Sequence, residues 1–329
     1  MNGNIEYERK IENKINNLVK SNSCLVGFYS FISDKSITTI YAYLRYINGF
    51  LNYTNKKTTE LTVDDFAGYM LYIQKKSNDE RTTSSYRISV YAALKKYGTY
   101  LVASNQLNNN PMNFIDRPKA IDSQKTIEKR EKGYLSKREI PKYINSVKNG
   151  VGNLRSQHRQ QEWRERDLAM IMLFLNTGMR CSALMKIDVD SIDFDNQLLT
   201  VTDKESKVNT YELTTEVLDI IQTWIDKREK ILNGERVDAL FISNRRTRMD
   251  QTSIYRVVNK YAENIKDKHI TPHKLRATYG TQLYNETNDI YFVQECMKHS
   301  NPKTTELYIR GNKENCKKAS DIMKKLTIH

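Results

Sequence analysis

The chain has 329 residues, enough for two domains, and 39% are apolar, so real cores can form. The formal net charge is +14 and the pI about 9.4. That balance points to a polyanionic partner, nucleic acid first. No run of 18 apolar residues suggests a membrane span, and the acidic, polar start MNGNIEYERKIENK does not read as a signal peptide.

The positive charge is spread evenly. Up to position 132 there are 20 Lys and Arg against 13 Asp and Glu; beyond it there are 33 against 26. Each part carries +7, so either could face the polyanion. Cys24, Cys181, Cys296 and Cys316 form no CxxC pair, which argues against zinc and for reduced thiols. No metal and no cofactor is expected.

Residues 1–23 form a polar arm, open to being a short helix, with Ile5, Ile11, Ile15 and Leu18 loosely on one face. Ile40, Leu44, Ile47 and Leu51 are spaced as an amphipathic helix over 38–54. Thr62 and Asp65 form a capping-box start for the next helix, which carries Phe66, Tyr69, Met70 and Ile73. A third helix begins at Thr82–Ser85, and LNNNP at 107–111 breaks it. Residues 24–116 therefore predict a small helical domain with no strand.

The polar, aperiodic stretch 117–132 has linker composition. A second domain, 133–312, opens at Tyr134, where Ser136 and Glu139 repeat the capping-box pattern. The apolar run AMIMLFL at 169–175 predicts a buried helix that stops at Asn176-Thr177-Gly178. Leu198–Thr202 and Asn209–Leu213 predict two strands of a hairpin. Helical periodicity returns over 215–231, 251–265 and 273–285. The fold class is mainly α with a small β-sheet.

Six side chains supply the parts for breaking a DNA phosphodiester without metal or ATP. Arg180, in NTGMRCSAL, and Arg276, in PHKLR, are guanidiniums suited to holding non-bridging phosphate oxygens in a fork. His273 shares a helical face with Arg276. Lys204 lies in the predicted hairpin turn; Lys207 in the same turn is the alternative. His299 opens HSNPKTTELY, which ends at Tyr308. A covalent phosphoester preserves the bond energy, so rejoining needs no cofactor.

TGMR, HKLR and HSNPKTTELY, with a hairpin lysine between the first two, resemble the tyrosine recombinases and phage-type integrases, close in plan to Xer and Cre-like proteins. The resemblance covers roughly residues 24–312. It implies an N-terminal core-binding (SAM-like) helical domain and a C-terminal catalytic domain that clamp duplex DNA. It also implies that Arg180 and Arg276 hold the scissile phosphate and Tyr308 attacks it. Lys204 would protonate the leaving 5′-oxygen, His273 would take the tyrosine proton, and His299 would hydrogen-bond the phosphate or the nucleophile region. The family commonly has an acid after Ser182, where this chain has Ala183; Asp188 or Asp190 are candidates to compensate.

The resemblance further implies a homotetramer on paired sites, with the tail 313–329 (Ala319, Ile322, Met323 and Leu326 on one face) packing on a neighbouring protomer. Integration, excision or dimer resolution through a Holliday junction would follow, in the cytoplasm with the nucleoid. DNA-contact candidates are Arg81, Thr83, Ser84 and Arg87 at a helix start, Arg117 and Lys119 in the linker, and Arg245, Arg246 and Arg248 in SNRRTRMD. Two rivals remain open: a type IB topoisomerase-like nicking-closing enzyme, and a non-catalytic DNA-binding protein on a recombinase scaffold.

Overall fold

In the computed structural model, residues 2–79, 84–119, 133–202, 208–265 and 268–298 are described. The chain divides into two compact units, residues 4–125 and, together with residues 1–3, residues 126–329.

The first unit is helical: α1 (Asn2–Ser21), α2 (Leu25–Phe31), α3 (Ile37–Thr54), α4 (Val63–Asp79) and α5 (Ser84–Ala103). The spacing read in α3 holds, since Ile40, Leu44, Ile47 and Leu51 are all buried. Asn55 stops α3 in the left-handed conformation, its N–H bonded to the Leu51 carbonyl at 2.9 Å. The Thr62 box forms: backbone N–H and hydroxyl of Thr62 donate to Asp65 at 2.9 and 3.0 Å. Burial opposes ionisation there, but Lys56 and Thr62 hold the Asp65 carboxyl below its usual range.

The stretch read as an arm is a helix. Its Ile11 and Ile15 enter the core of the first unit beside Leu25, Phe28 and Leu44, so burial of an apolar face ties it down. Asn110 ends the segment after α5. Its side chain caps the short 3-10 turn Pro111–Phe114 by accepting from the Met112 N–H at 3.0 Å, and it donates to the Lys95 carbonyl at 2.9 Å. Gly98 leaves room for it, because a Cβ there would fall 2.1 Å from Asn110 Oδ1.

The second unit runs α6 (Glu139–Asn149), α7 (Leu154–Gln161), α8 (Arg164–Thr177), α9 (Cys181–Leu184), β1 (Ile192–Asp193), β2 (Leu198–Thr202), β3 (Val208–Glu212), α10 (Thr215–Leu232), α11 (Gln251–Lys260), α12 (Pro272–Thr287) and α13 (Ile290–Cys296). Ser136 caps α6 through Glu139, donating N–H and hydroxyl at 2.8 and 2.7 Å. The apolar run makes α8 the central helix, packed on α6, α10 and α12. The strands form an antiparallel sheet in order β1-β2-β3, with Leu199 opposite Tyr211. Two-residue β1 escaped the sequence reading, and α11 is shorter than 251–265 predicts because a 3-10 turn takes over at Tyr261–Asn264.

A buried ionic cluster joins α8 to α11. Asp167 is fully buried and accepts from Arg166 (2.9 and 2.8 Å), Lys260 (3.0 Å) and the Tyr261 hydroxyl (2.7 Å). Arg166 also donates to the Ile242 carbonyl at 3.0 Å. Every Asp167 oxygen therefore has partners, as a carboxylate removed from water requires.

Candidate active site

The turn after α8 sets the first arginine. Gly178 is left-handed (φ 59°), and its N–H bonds the Phe174 carbonyl at 3.0 Å. Arg180 follows in extended conformation, half-buried, and its carbonyl accepts from Ala183 and Leu184 at 3.0 and 3.1 Å, starting α9. Ala183 is buried in the main core. Neither compensating acid has that place. Asp188 pairs with Arg248, and Asp190 is exposed in the 3-10 turn Val189–Ser191.

Thr271 and Pro272 start α12, the Thr271 hydroxyl accepting from the Lys274 N–H at 3.3 Å. His273 and Arg276 stand one turn apart. Arg276 is 4% exposed. One of its terminal nitrogens donates to the Gly178 carbonyl, and the other to the Met297 carbonyl at 2.6 Å. Two bonds from one planar guanidinium fix its plane. They also tie three segments together: the turn two residues before Arg180, helix α12, and the end of α13 two residues before His299.

His273 keeps an exposed edge. Protein on its other side, and then the positive charge of Arg276, hold its pKa below the ordinary imidazole value. A neutral ring at pH 7 is able to accept a proton.

Arg276 thus links the turn two residues before Arg180 to the helix that carries His273 one turn away. Lys204, His299 and Tyr308 lie outside the described residues, as do Arg81, Thr83 and the tail 313–329. Ser84 begins α5 half-buried, and the Arg87 Nε is buried without a hydrogen-bond partner among the described residues. Arg117 and Lys119 are exposed.

The SNRRTRMD arginines separate. Arg245 is exposed, and Arg246 pairs with Glu235. Arg248 turns inward, donating to the Met185 and Ile187 carbonyls at 2.8 and 3.2 Å and to Asp188. The donors of Arg248 thus hold Asp188 and the protein's own backbone, as those of Arg276 hold the Gly178 and Met297 carbonyls. Charge composition cannot show which arginine of a cluster faces in. Sequence reasoning also missed the carbonyls of Gly178 and Met297, since any residue presents a carbonyl; only the glycine helix stop marked the first of them.

Among the described residues, no group of three or more His, Cys, Asp or Glu is placed to hold a metal, and no helix is long and apolar enough to cross a membrane.

The phage integrase family model matches residues 134–315. Tyrosine recombinase XerS of Streptococcus thermophilus is 28% identical, over 87% of this chain and 90% of that protein. Tyrosine recombinase XerC of a Roseiflexus species is 26% identical, over 83% of each. Among solved structures, XerH site-specific recombinase bound to palindromic difH substrate has a TM-score of 0.71 at 18% identity, covering 95% of this chain and 89% of that one. A lambda integrase dimer bound to a COC′ core site has 0.61 at 15%, covering 88% and 95%. With the matched region holding the Arg180 turn, the HKLR helix and the segment ending at Tyr308, the chain belongs to the phage integrase family, the tyrosine recombinases.

Proposed function

We propose that this chain cuts and rejoins duplex DNA at specific sites through a 3′-phosphotyrosyl intermediate. The observation that carries the reading is Arg276, whose guanidinium is bonded to the backbone leading into Arg180 on one side and to the backbone leading into His299 on the other. Arg180 and Arg276 neutralise the charge that grows on the non-bridging oxygens during attack. The Tyr308 oxygen forms a bond to phosphorus as the 5′-oxygen departs. His273 accepts the phenol proton, and Lys204 supplies one to the leaving oxygen. In the return step the 5′-hydroxyl of a partner strand attacks the phosphotyrosine, Tyr308 regains its proton and Lys204 is reprotonated. One phosphodiester is exchanged for another, so no ATP is required. His299 steadies the phosphate.

The partner is duplex DNA carrying paired sites, contacted by exposed Arg117, Lys119 and Arg245 together with Ser84, Arg87 and Arg246. Four protomers assemble on the two sites, each passing its tail to a neighbour, and the strands exchange through a Holliday junction. An apolar groove of about 410 Å³ between α6, α8 and α12 supports the tail's docking. Ile144, Met172, Leu175 and Leu283 line it, and Glu286 at its rim suits the tail's lysines.

The test is covalent trapping. The chain is incubated with nicked duplexes tiling the DNA around its own gene, then denatured. A protein–DNA adduct that maps to the Tyr308 peptide and vanishes in Tyr308→Phe is the expected result. DNA binding without any adduct would leave a scaffold in place of an enzyme. Relaxation of supercoils by monomers, without strand exchange between sites, would favour the nicking-closing activity.

A further inference from the structure

We propose that Tyr279 is a positioning residue for strand cleavage, holding in place the two backbone carbonyls that orient Arg276. This rests on the recombinase reading above and adds a residue to it.

Tyr279 stands three residues after Arg276 on α12, so both side chains leave the same face. Its ring lies against Gly178: a Cβ on that glycine would fall 2.3 Å from Tyr279 Cδ1. The Gly178 carbonyl is one of the two that Arg276 bonds. At its other end the Tyr279 hydroxyl lies by Cys296, the last residue of α13, whose sulfur it would bond as donor. The next residue, Met297, provides the second carbonyl. Tyr279 also packs with Leu283 and Ile290 on the small cluster of Tyr284, Val293 and Met297 that seats α13 on α12.

One side chain therefore touches the structure behind both carbonyls. If either carbonyl shifts, the guanidinium plane turns with it, and displacements of about 1 Å at a phosphate-holding group cost on the order of 100-fold in rate. Burial first, and then Cys296 and Tyr211, push the Tyr279 hydroxyl up to about 12. It stays protonated at neutral pH, able to donate and not a second phenolate nucleophile.

The experiment uses the full chain on a nicked duplex carrying the cleavage position found by trapping. Single-turnover cleavage at saturating protein is measured beside DNA affinity and thermal melting. Tyr279→Phe, which keeps the ring, is expected to cleave about 10-fold slower, and Tyr279→Leu about 100-fold slower, with affinity and melting unchanged. Cys296→Ala should match Tyr279→Phe, whereas Cys296→Ser, which still accepts the bond, should restore the wild-type rate. The Tyr279→Phe/Cys296→Ala double variant should be no slower than either single one, because both remove the same bond. Wild-type rates in Tyr279→Leu overturn the proposal. So does a slowing matched by lost affinity or lowered melting, which a purely structural role would produce. Absence of any adduct with the wild-type chain overturns instead the recombinase reading, and is read separately from every Tyr279 variant.

Discussion

The two units solve burial in opposite ways. In the first, the core is aliphatic and aromatic, with Phe28, Phe50, Phe66, Tyr69 and Tyr97 in ring contact or beside one another, and Asn110 is its buried polar side chain among the described residues. The second buries Arg166, Asp167, Arg228 and Arg276. Each of those arginines donates to carbonyls in irregular backbone: Arg166 to Ile242, Arg228 to Ala239, Arg276 to Gly178 and Met297. Hydrophobic packing is non-directional and suits a bundle of helices. Fixing irregular backbone in one arrangement needs directional bonds, and a guanidinium supplies several from one rigid plane.

The sharpest break of that comparison is Asp167→Ala. It leaves Arg166 and Lys260 without their carboxylate in a buried site, so unfolding by urea should show the second unit weakened by about 3–5 kcal/mol. A loss under 1 kcal/mol would mean the cluster is decoration on an apolar core, as the first unit would have it.

Next comes Arg276→Lys. The charge survives, but an ammonium cannot span two carbonyls with a flat fork. Cleavage of the nicked duplex should fall by on the order of 10²–10³. DNA affinity, set by many phosphate contacts, should move far less. Equal losses in both would make Arg276 an ordinary DNA contact.

The pH dependence sharpens the same point. Burial and the Arg276 charge lower the His273 pKa. Cleavage should therefore be level from neutral pH down past the ordinary histidine value, then fall by up to about tenfold per pH unit below the lowered one. The sign for stability agrees. The folded state disfavours the imidazolium, so the contribution of His273 is present above its unfolded pKa and lost as pH falls through the folded one. A rate inflection at or above the ordinary value would show that His273 meets water freely.

The contrast also governs what was readable in the sequence. Apolar spacing marked α3 and α8, and paired residues marked the caps at Thr62 and Ser136, because both are local patterns that any chain with those residues expresses. Arg180, His273 and Arg276 stood out as candidates because phosphate chemistry demands particular residue types. What joins them did not, since a bond from Arg276 to a carbonyl 98 residues away leaves no mark at either end. The inward turn of Arg248 left no mark for the same reason: nothing in a run of arginines tells which of them will meet the Met185 and Ile187 carbonyls. In α13, Asp289 caps the first turn by accepting from the Tyr291 and Phe292 N–H groups, but seven residues are too few for a helical period to declare itself in the sequence.

The smallest effect tests the first unit by its exception. Tyr97 is fully buried between Phe28 and Tyr100, with ring centroids 5.1 and 5.9 Å away. Its hydroxyl has no hydrogen-bond partner among the described residues, and burial pushes its pKa well above the ordinary phenol. A buried hydroxyl without a partner bears its desolvation cost uncompensated, so Tyr97→Phe should leave the ring packing intact and stabilise the first unit by about 1 kcal/mol in urea unfolding. Deleting a polar atom would then strengthen one unit, while deleting Asp167 dismantles the other. A destabilised Tyr97→Phe would instead place a partner, such as an enclosed water, on that oxygen, and the first unit's core would be less purely apolar than its packing indicates.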